Sequence, residues 1–370
     1  MAKTALNQSK YRLTTQSKVN LKNPQRVAHF TFPSWQCWLE SDGDASVRSP
    51  ITLQKFIVQA VLRTMTESIL PTAISRQTPS IQVWIRRLVW KMAIATILLM
   101  AVGSATRVMN AGLACPDWPL CYGQWIPSQQ MNLQVFLEWF HRLDAALIGL
   151  STLVLVGLSG WFRQVLPRWL PWASLGALAL ILVQGLLGGL TVIELLRFDI
   201  VTAHLGTAMA FLGALLTIAL CLMPYQSHHT AGNLRAIAGV VTGVIYLQCL
   251  LGALVGSQWA AHQCLAIAGH PFCQILHSHL LGVLPTAIGV GVTLWCTWHT
   301  PALNPLLRQL GLVAAALFSG QILLGVATLK LHLQIEPLTV AHHSVGICLW
   351  STLLAIAVLA VRDHQDPVRV

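Results

Sequence analysis

The sequence predicts an all-α integral membrane protein: eight transmembrane helices, arranged as two repeated four-helix bundles, with both chain termini cytoplasmic. Three observations predict it. Apolar residues make up 55% of the chain and charged residues only 9%, far below the roughly 25% charged residues of a soluble domain. Eight runs reach the length of about 20 mostly apolar residues that crosses a bilayer. The remaining cations fall between those runs, where they orient helices.

In chain order the runs are 88–107, 138–160, 171–191, 201–223, 236–256, 274–298, 309–329 and 339–361. Pro167, Pro171, Pro224, Pro301, Pro305 and Pro337 punctuate their flanks, because proline lacks the N–H that an interior turn needs. Residues 1–80 differ in kind: they are polar and hold neither a span nor a signal-peptide core. A disordered cytoplasmic extension is expected there, with a short amphipathic stretch near 51–64 and Met65 as an alternative start. With the N-terminus inside, Arg76, Arg86, Arg87, Lys91, Arg163, Arg168, Arg235, Arg308, Arg362 and Arg369 are inner, and Arg107, Arg197 and Lys330 are outer. That is the positive-inside bias. The excess of 23 Lys+Arg over 12 Asp+Glu therefore reads as orientation in a bilayer. No basic cluster on a polar face points to nucleic acid.

The chain repeats itself. Val102-Gly103-Ser104 recurs as Val255-Gly256-Ser257, and Gln184-Gly-Leu-Leu-Gly188 as Gln321-Ile-Leu-Leu-Gly325. Thr202-Ala-His204 opens the fourth run, and Val340-Ala-His342 the eighth. An even number of spans per half gives both halves the same orientation, with a first half over 81–225 and a second over 226–370. Such internal repeats are familiar in membrane folds, and a four-helix bundle has an interior in which a cofactor can be held.

Fourteen histidines are many for a membrane protein, where an imidazole is costly unless it faces a partner or a cavity. His29 and His364 fall in tails, His228, His229 and His299 at inner loops or ends, and His262, His270 and His332 in outer loops. Four others form a pattern. His141, His204, His277 and His342 each lie about one turn inside the outer end of an even-numbered run, so they share one depth, one pair per half. Neutral imidazole is a good ligand for heme iron, and facing pairs supply both axial positions. The plainer reading, four interfacial imidazoles hydrogen-bonded at helix ends, does not account for the matched depth. His279 lies roughly 200° around the helix from His277 and competes with it, as His343 does with His342. His277 is preferred because Gln274-Ile-Leu-His277 parallels Glu138-Trp-Phe-His141, and His342 because it matches Ala203-His204.

Glu138, three residues before His141, shares its helix face. A carboxylate there can accept a proton or stabilise developing positive charge; the plainer alternative is an interfacial acid paired with Arg142. Because Gln274 stands in the matching place of the second half, chemistry is expected in the first. Of nine cysteines, Cys37 lies in the tail, and Cys221, Cys249, Cys296 and Cys348 read as small apolar residues within spans. Cys115 with Cys121, and Cys264 with Cys273, pair in outer loops. The outer compartment permits disulfides, and the spacing is not that of a zinc site.

Gly103-Ser-Ala-Thr-Arg107, then Gly112-Leu-Ala-Cys-Pro-Asp-Trp-Pro-Leu-Cys-Tyr-Gly123 and Glu138-Trp-Phe-His-Arg142, resemble the heme A synthase family. The resemblance runs from about Arg86 to the end of the last run; the extension is outside it, and the second cysteine pair is spaced differently. The resemblance implies oxidation of a heme O methyl group to the formyl group of heme A. On it His141 and His204 hold the substrate heme O, His277 and His342 ligate a heme b, and Glu138 is the catalytic carboxylate. Arg107 and Arg142 lie against the cofactors, and the Cys115–Cys121 loop stands beside the first site. The implied partners are a heme O-producing farnesyltransferase, an electron donor and membrane lipid, in the bacterial cytoplasmic membrane or alternatively a thylakoid. The rival of another class is a di-heme b-type electron carrier, which would leave heme O unaltered; a transporter or heme-handling chaperone is a further alternative.

Overall fold

The computed structural model describes residues 80–256, 272–331 and 334–364. The expected N-terminal extension, the Met65 start, His29, Cys37, His262, Cys264, His270 and His332 lie outside these residues. Nine helices form among the described residues: α1 (Ser80–Val108), α2 (Leu133–Trp161), α3 (Leu170–Ile193), α4 (Phe198–Leu222), α5 (Leu234–Gly256), α6 (Phe272–Leu281), α7 (Val283–His299), α8 (Pro305–Lys330) and α9 (Glu336–His364). Helices α6 and α7 are two stretches of one span, Cys273–His299. Their junction at Gly282 follows from Pro285, which has no N–H for the Leu281 carbonyl one turn back. Eight spans long and apolar enough to cross a membrane result, one for each run read from the sequence.

The helices overrun the apolar runs. Helices α1 and α2 have 29 residues each, about 43 Å of helix against about 30 Å of hydrocarbon. The extra turns are set by capping: Asn132 accepts from the Val135 N–H at 3.0 Å and starts α2 five residues before the apolar run. Asn304 accepts from the Leu306 N–H at 2.9 Å, with Pro305 as the first helical residue of α8.

Helices α1 to α4 form a closed ring of neighbours, α1 meeting α2 and α4, and α3 meeting α2 and α4. The spans α5, α6/α7, α8 and α9 form a second ring in the same cyclic order. The rings join where α4 meets α5 and α9, and where α9 meets α1. Helices α4 and α9 are therefore central, their apolar windows 61% and 67% buried, against 11–28% for the other six spans. The rim helices turn Leu98, Leu182 and Leu323 outward, as lipid contact demands. Between helices in lipid, close approach replaces the hydrophobic drive. Gly213 of α4 accordingly faces the Trp350 indole of α9, and the Tyr246 hydroxyl donates to the Gly206 carbonyl at 3.1 Å.

At the end of the molecule opposite the 109–132 loop, the α4–α5 connection is tied to the end of α9. The fully buried Asp363 carboxylate accepts from the backbone N–H groups of His228, Thr230 and Ala231 at 2.8, 2.9 and 2.9 Å, and from the Tyr225 hydroxyl at 3.3 Å. Burial, and then the facing carboxylate, push the Tyr225 phenol up, so it stays a donor. Arg362 donates to the Leu220 carbonyl and lies over the Tyr225 ring.

Candidate functional site

Two pairs of imidazoles meet at the end of the helices nearest the 109–132 loop. His141 (α2) and His204 (α4) are within electrostatic reach of each other, and so are His279 (α6) and His342 (α9). Each ring rests edge-on against a glycine of a neighbouring helix. A Cβ at Gly103 would stand 2.8 Å from the His141 Cε1; the corresponding distances are 3.2 Å for Gly188 and His204, 3.0 Å for Gly252 and His279, and 3.0 Å for Gly325 and His342. A side chain at any of the four glycines would push the imidazole off its seat. The same four rings, like that of His343, each hold a buried Nδ1 without a hydrogen-bond partner. Buried polar atoms without partners are rare, and these four converge in pairs.

His277, expected as a ligand, is exposed and is not part of either pair; His279, its competitor, meets His342. Two imidazoles separated by about 200° cannot face one centre, and the Gly252 seat selects His279. The internal correspondence shifts accordingly. The glycine that answers Gly103 is Gly252, one turn before Gly256, so the Val-Gly-Ser match is out of register. Counting from His279, the place of Glu138 falls on the buried Leu276 and that of Arg142 on Leu280, not on Gln274 and its neighbours. His342 has a glycine seat, at Gly325, and His343 has none among the described residues. His343 instead lies seven residues before Trp350, on the stripe of α9 turned to α4 and α5.

A third copy of the glutamine–glycine element went unread in the sequence. Gln248-Cys-Leu-Leu-Gly252 has the same form as Gln184-Gly-Leu-Leu-Gly188 and Gln321-Ile-Leu-Leu-Gly325. Its glutamine donates to the His279 backbone carbonyl at 2.7 Å. Gln184 and Gln321 instead set their amides 3.2 and 3.4 Å from Nε2 of His204 and His342. In the fourth seat the place of glutamine falls to Leu99.

Glu138 is buried, 4% exposed, and both its oxygens are engaged. One accepts from the Cys115 N–H at 2.8 Å, the other from Arg142 at 2.5 Å. Arg142 also donates to the carbonyls of Asp117 and Leu120, each at 2.6 Å, and of Cys115 at 3.2 Å. The turn of α2 that carries His141 thus grips the loop closed by the Cys115–Cys121 disulfide. Within that loop the Asp117 carboxylate accepts from the Tyr122 and Gly123 N–H groups at 2.6 and 2.8 Å, which hold its carboxyl below the usual range. Gly123 has a φ of +67°, which glycine adopts freely, and it turns the chain back so that Cys121 and Gln124 pair. The disulfide packs on Val135 and Trp139 of α2. Arg107 donates to the Gly256 carbonyl at 3.4 Å, joining the ends of α1 and α5. Cys273 is engaged rather than free. Cys221, Cys249, Cys296 and Cys348 are free thiols within spans.

Heme is the group that bis-imidazole pairs imply, and the donors fit it. Each pair offers two half-buried imidazoles on facing helices, each with a buried Nδ1 and seated where nothing larger than glycine fits.

Comparison with known proteins points the same way. The heme A synthase of Shewanella oneidensis is 28% identical over 324 residues, covering 73% of this chain and 96% of that protein. The heme A synthase of Geobacillus thermodenitrificans is 24% identical over 303 residues, covering 76% of this chain and 94% of that protein. Residues 86–354, from the start of the first span into the last, match COX15-CtaA, described as cytochrome oxidase assembly protein. With both rings of helices, the disulfide loop and all four seated imidazoles inside that match, the chain belongs to the COX15-CtaA family of cytochrome oxidase assembly proteins.

Proposed function

We infer that this chain is a heme A synthase: a multi-pass oxidoreductase of the bacterial inner membrane that converts heme O to heme A, oxidising one methyl group to a formyl group. The observation that carries the reading is the two pairs of half-buried imidazoles, each ring seated on a glycine. The family and its heme A synthase relatives support it, and they do not support the di-heme carrier.

In finer detail, His141 and His204 hold the substrate heme O, and His279 and His342 hold a resident heme b at the outer side of the membrane. A bis-imidazole heme, when bound, supplies one-electron transfer. The protein's own residues do the rest. The glycine seats fix the imidazole planes, and the depth of the rings keeps bulk water from both sites. Glu138 places negative charge one turn from His141, where positive charge develops as the substrate methyl is oxidised; the second half has Leu276 there and so lacks the chemistry. Arg107 is the cation left for a porphyrin carboxylate. Arg142 is committed to Glu138 and three loop carbonyls, and is assigned to the loop rather than to a cofactor. A farnesyltransferase that makes heme O and a membrane electron donor complete the scheme, with a second disulfide between Cys264 and Cys273.

Coexpression with a heme O-producing enzyme, followed by chromatography of extracted hemes, tests the reading. Heme A is expected with the intact chain and is expected to fall below about a hundredth of that yield in Glu138→Ala or His141→Ala, the scale at which one electrostatic or positioning group acts. Unmodified heme O in the presence of an inserted, heme-loaded chain would overturn it.

A further inference from the structure

The disulfide loop does more than cap α2. Arg142 takes the carbonyls of Asp117 and Leu120 at 2.6 Å, bracketing Trp118 and holding both sides of that residue still. The indole then reaches α3, where it lies on the buried Gly189: a Cβ there would stand 3.2 Å from its ring carbons Cδ2 and Cε2. Gly189 is the neighbour of Gly188, the seat of His204. The loop residue thus joins two adjacent helices, α2 through Arg142 on its flanking carbonyls and α3 through Gly189 under its ring, each tie one residue along the chain from His141 or from the seat of His204, and 49% of Trp118 stays uncovered. Among the described residues the second half shows no equivalent. Val326 stands in the place of Gly189, and its branched side chain leaves no flat seat for a ring there.

We propose that Trp118 is a positioning residue for the tetrapyrrole of the first pair, its indole closing the α2–α3 side of that site, with Gly189 as its seat. The inference rests on the reading of the first pair as the substrate site. An indole presents a rigid, flat, apolar surface that packs against aromatic rings at little entropic cost. That suits a wall which must hold a porphyrin during oxidation and release it afterwards. The resident heme of the second pair, which is not turned over, has no need of such a wall.

The test uses the full chain, purified in detergent, with heme O as the varied substrate and heme b content measured alongside. Trp118→Ala is expected to raise KM for heme O about tenfold with kcat within about twofold, since a single well-packed aromatic contact is worth about that ratio. Trp118→Phe is expected to recover most of the loss. Gly189→Val keeps the indole but fills its seat, as Val326 does in the second half, and is expected to reproduce the KM change. Heme b content stays at the wild-type level throughout. An unchanged KM in Trp118→Ala and Gly189→Val overturns the inference. So does a parallel fall of kcat and heme b that phenylalanine fails to rescue, which marks a merely structural residue. A wild-type chain that makes no heme A overturns the synthase reading itself, a result distinct from an active wild type with indifferent Trp118 variants.

Discussion

At the scale of single residues, the geometry separates two neighbouring imidazoles. His277 and His279 both sit near the start of the same span, and only His279 has a glycine seat and an imidazole partner. His279→Ala is expected to remove the second heme, halving the heme per chain, whereas His277→Ala leaves it intact; a pyridine hemochrome assay of the purified variants distinguishes the two. The ambiguity was physical. Gln274-Ile-Leu-His277 copies the spacing of Glu138-Trp-Phe-His141, but spacing within one helix cannot say which face the neighbouring helix covers. The signal that resolves it was present, as the Gln-x-Leu-Leu-Gly form at Gln248–Gly252, and it is read only once the seat–imidazole relation is known. Glu138 was legible as a carboxylate on the face of His141. That both its oxygens serve a backbone N–H and Arg142 was not, because backbone partners leave no mark in the sequence.

At the scale of elements, the loop between α1 and α2 is a rigid body rather than a tether. Its ties are the disulfide, the Arg142 fork and the Asp117 carboxylate on the Tyr122 and Gly123 N–H groups. Because those N–H groups lower the Asp117 carboxyl from its ordinary value, their contribution is fully present above the unfolded value of about 4 and is lost as pH falls through the lower folded value. Protection of the Tyr122 and Gly123 amides against hydrogen exchange, corrected for intrinsic rate, is expected to stay constant from neutrality to about pH 4 and to drop only below it. Asp117→Asn is expected to lower that protection at every pH. Loss of protection already near pH 6 would mean that another group controls the loop. The spans themselves were legible, since each needs only length and apolarity. Their ends were not, because α2 begins at an asparagine cap outside its apolar run and α6 meets α7 at a proline inside one.

At the scale of the whole molecule, the two rings of helices are locked at one end by Asp363. Three backbone N–H groups of the α4–α5 connection and one phenol converge on a carboxylate with no exposure to solvent. Asp363→Ala leaves the buried Ala231 N–H and three part-buried donors unpaired. About 2–3 kcal/mol of stability is expected to go, read as a lower thermal unfolding midpoint of the detergent-solubilised chain, with both hemes still bound below that midpoint. Unfolding indistinguishable from the wild type would show that the connection finds other partners.

The contrast between two enclosed spans and six rim spans has an evolutionary corollary. A rim helix such as α8 presents most of its circumference to fluid acyl chains, which accommodate leucine, valine or phenylalanine with equal ease. Drift is free there so long as oiliness is kept. Helices α4 and α9 are walled by protein over most of their length, and each carries one member of an imidazole pair, so an added methylene on their packed faces has nowhere to go. Divergence within the fold is therefore expected around the circumference more than in its two inner columns.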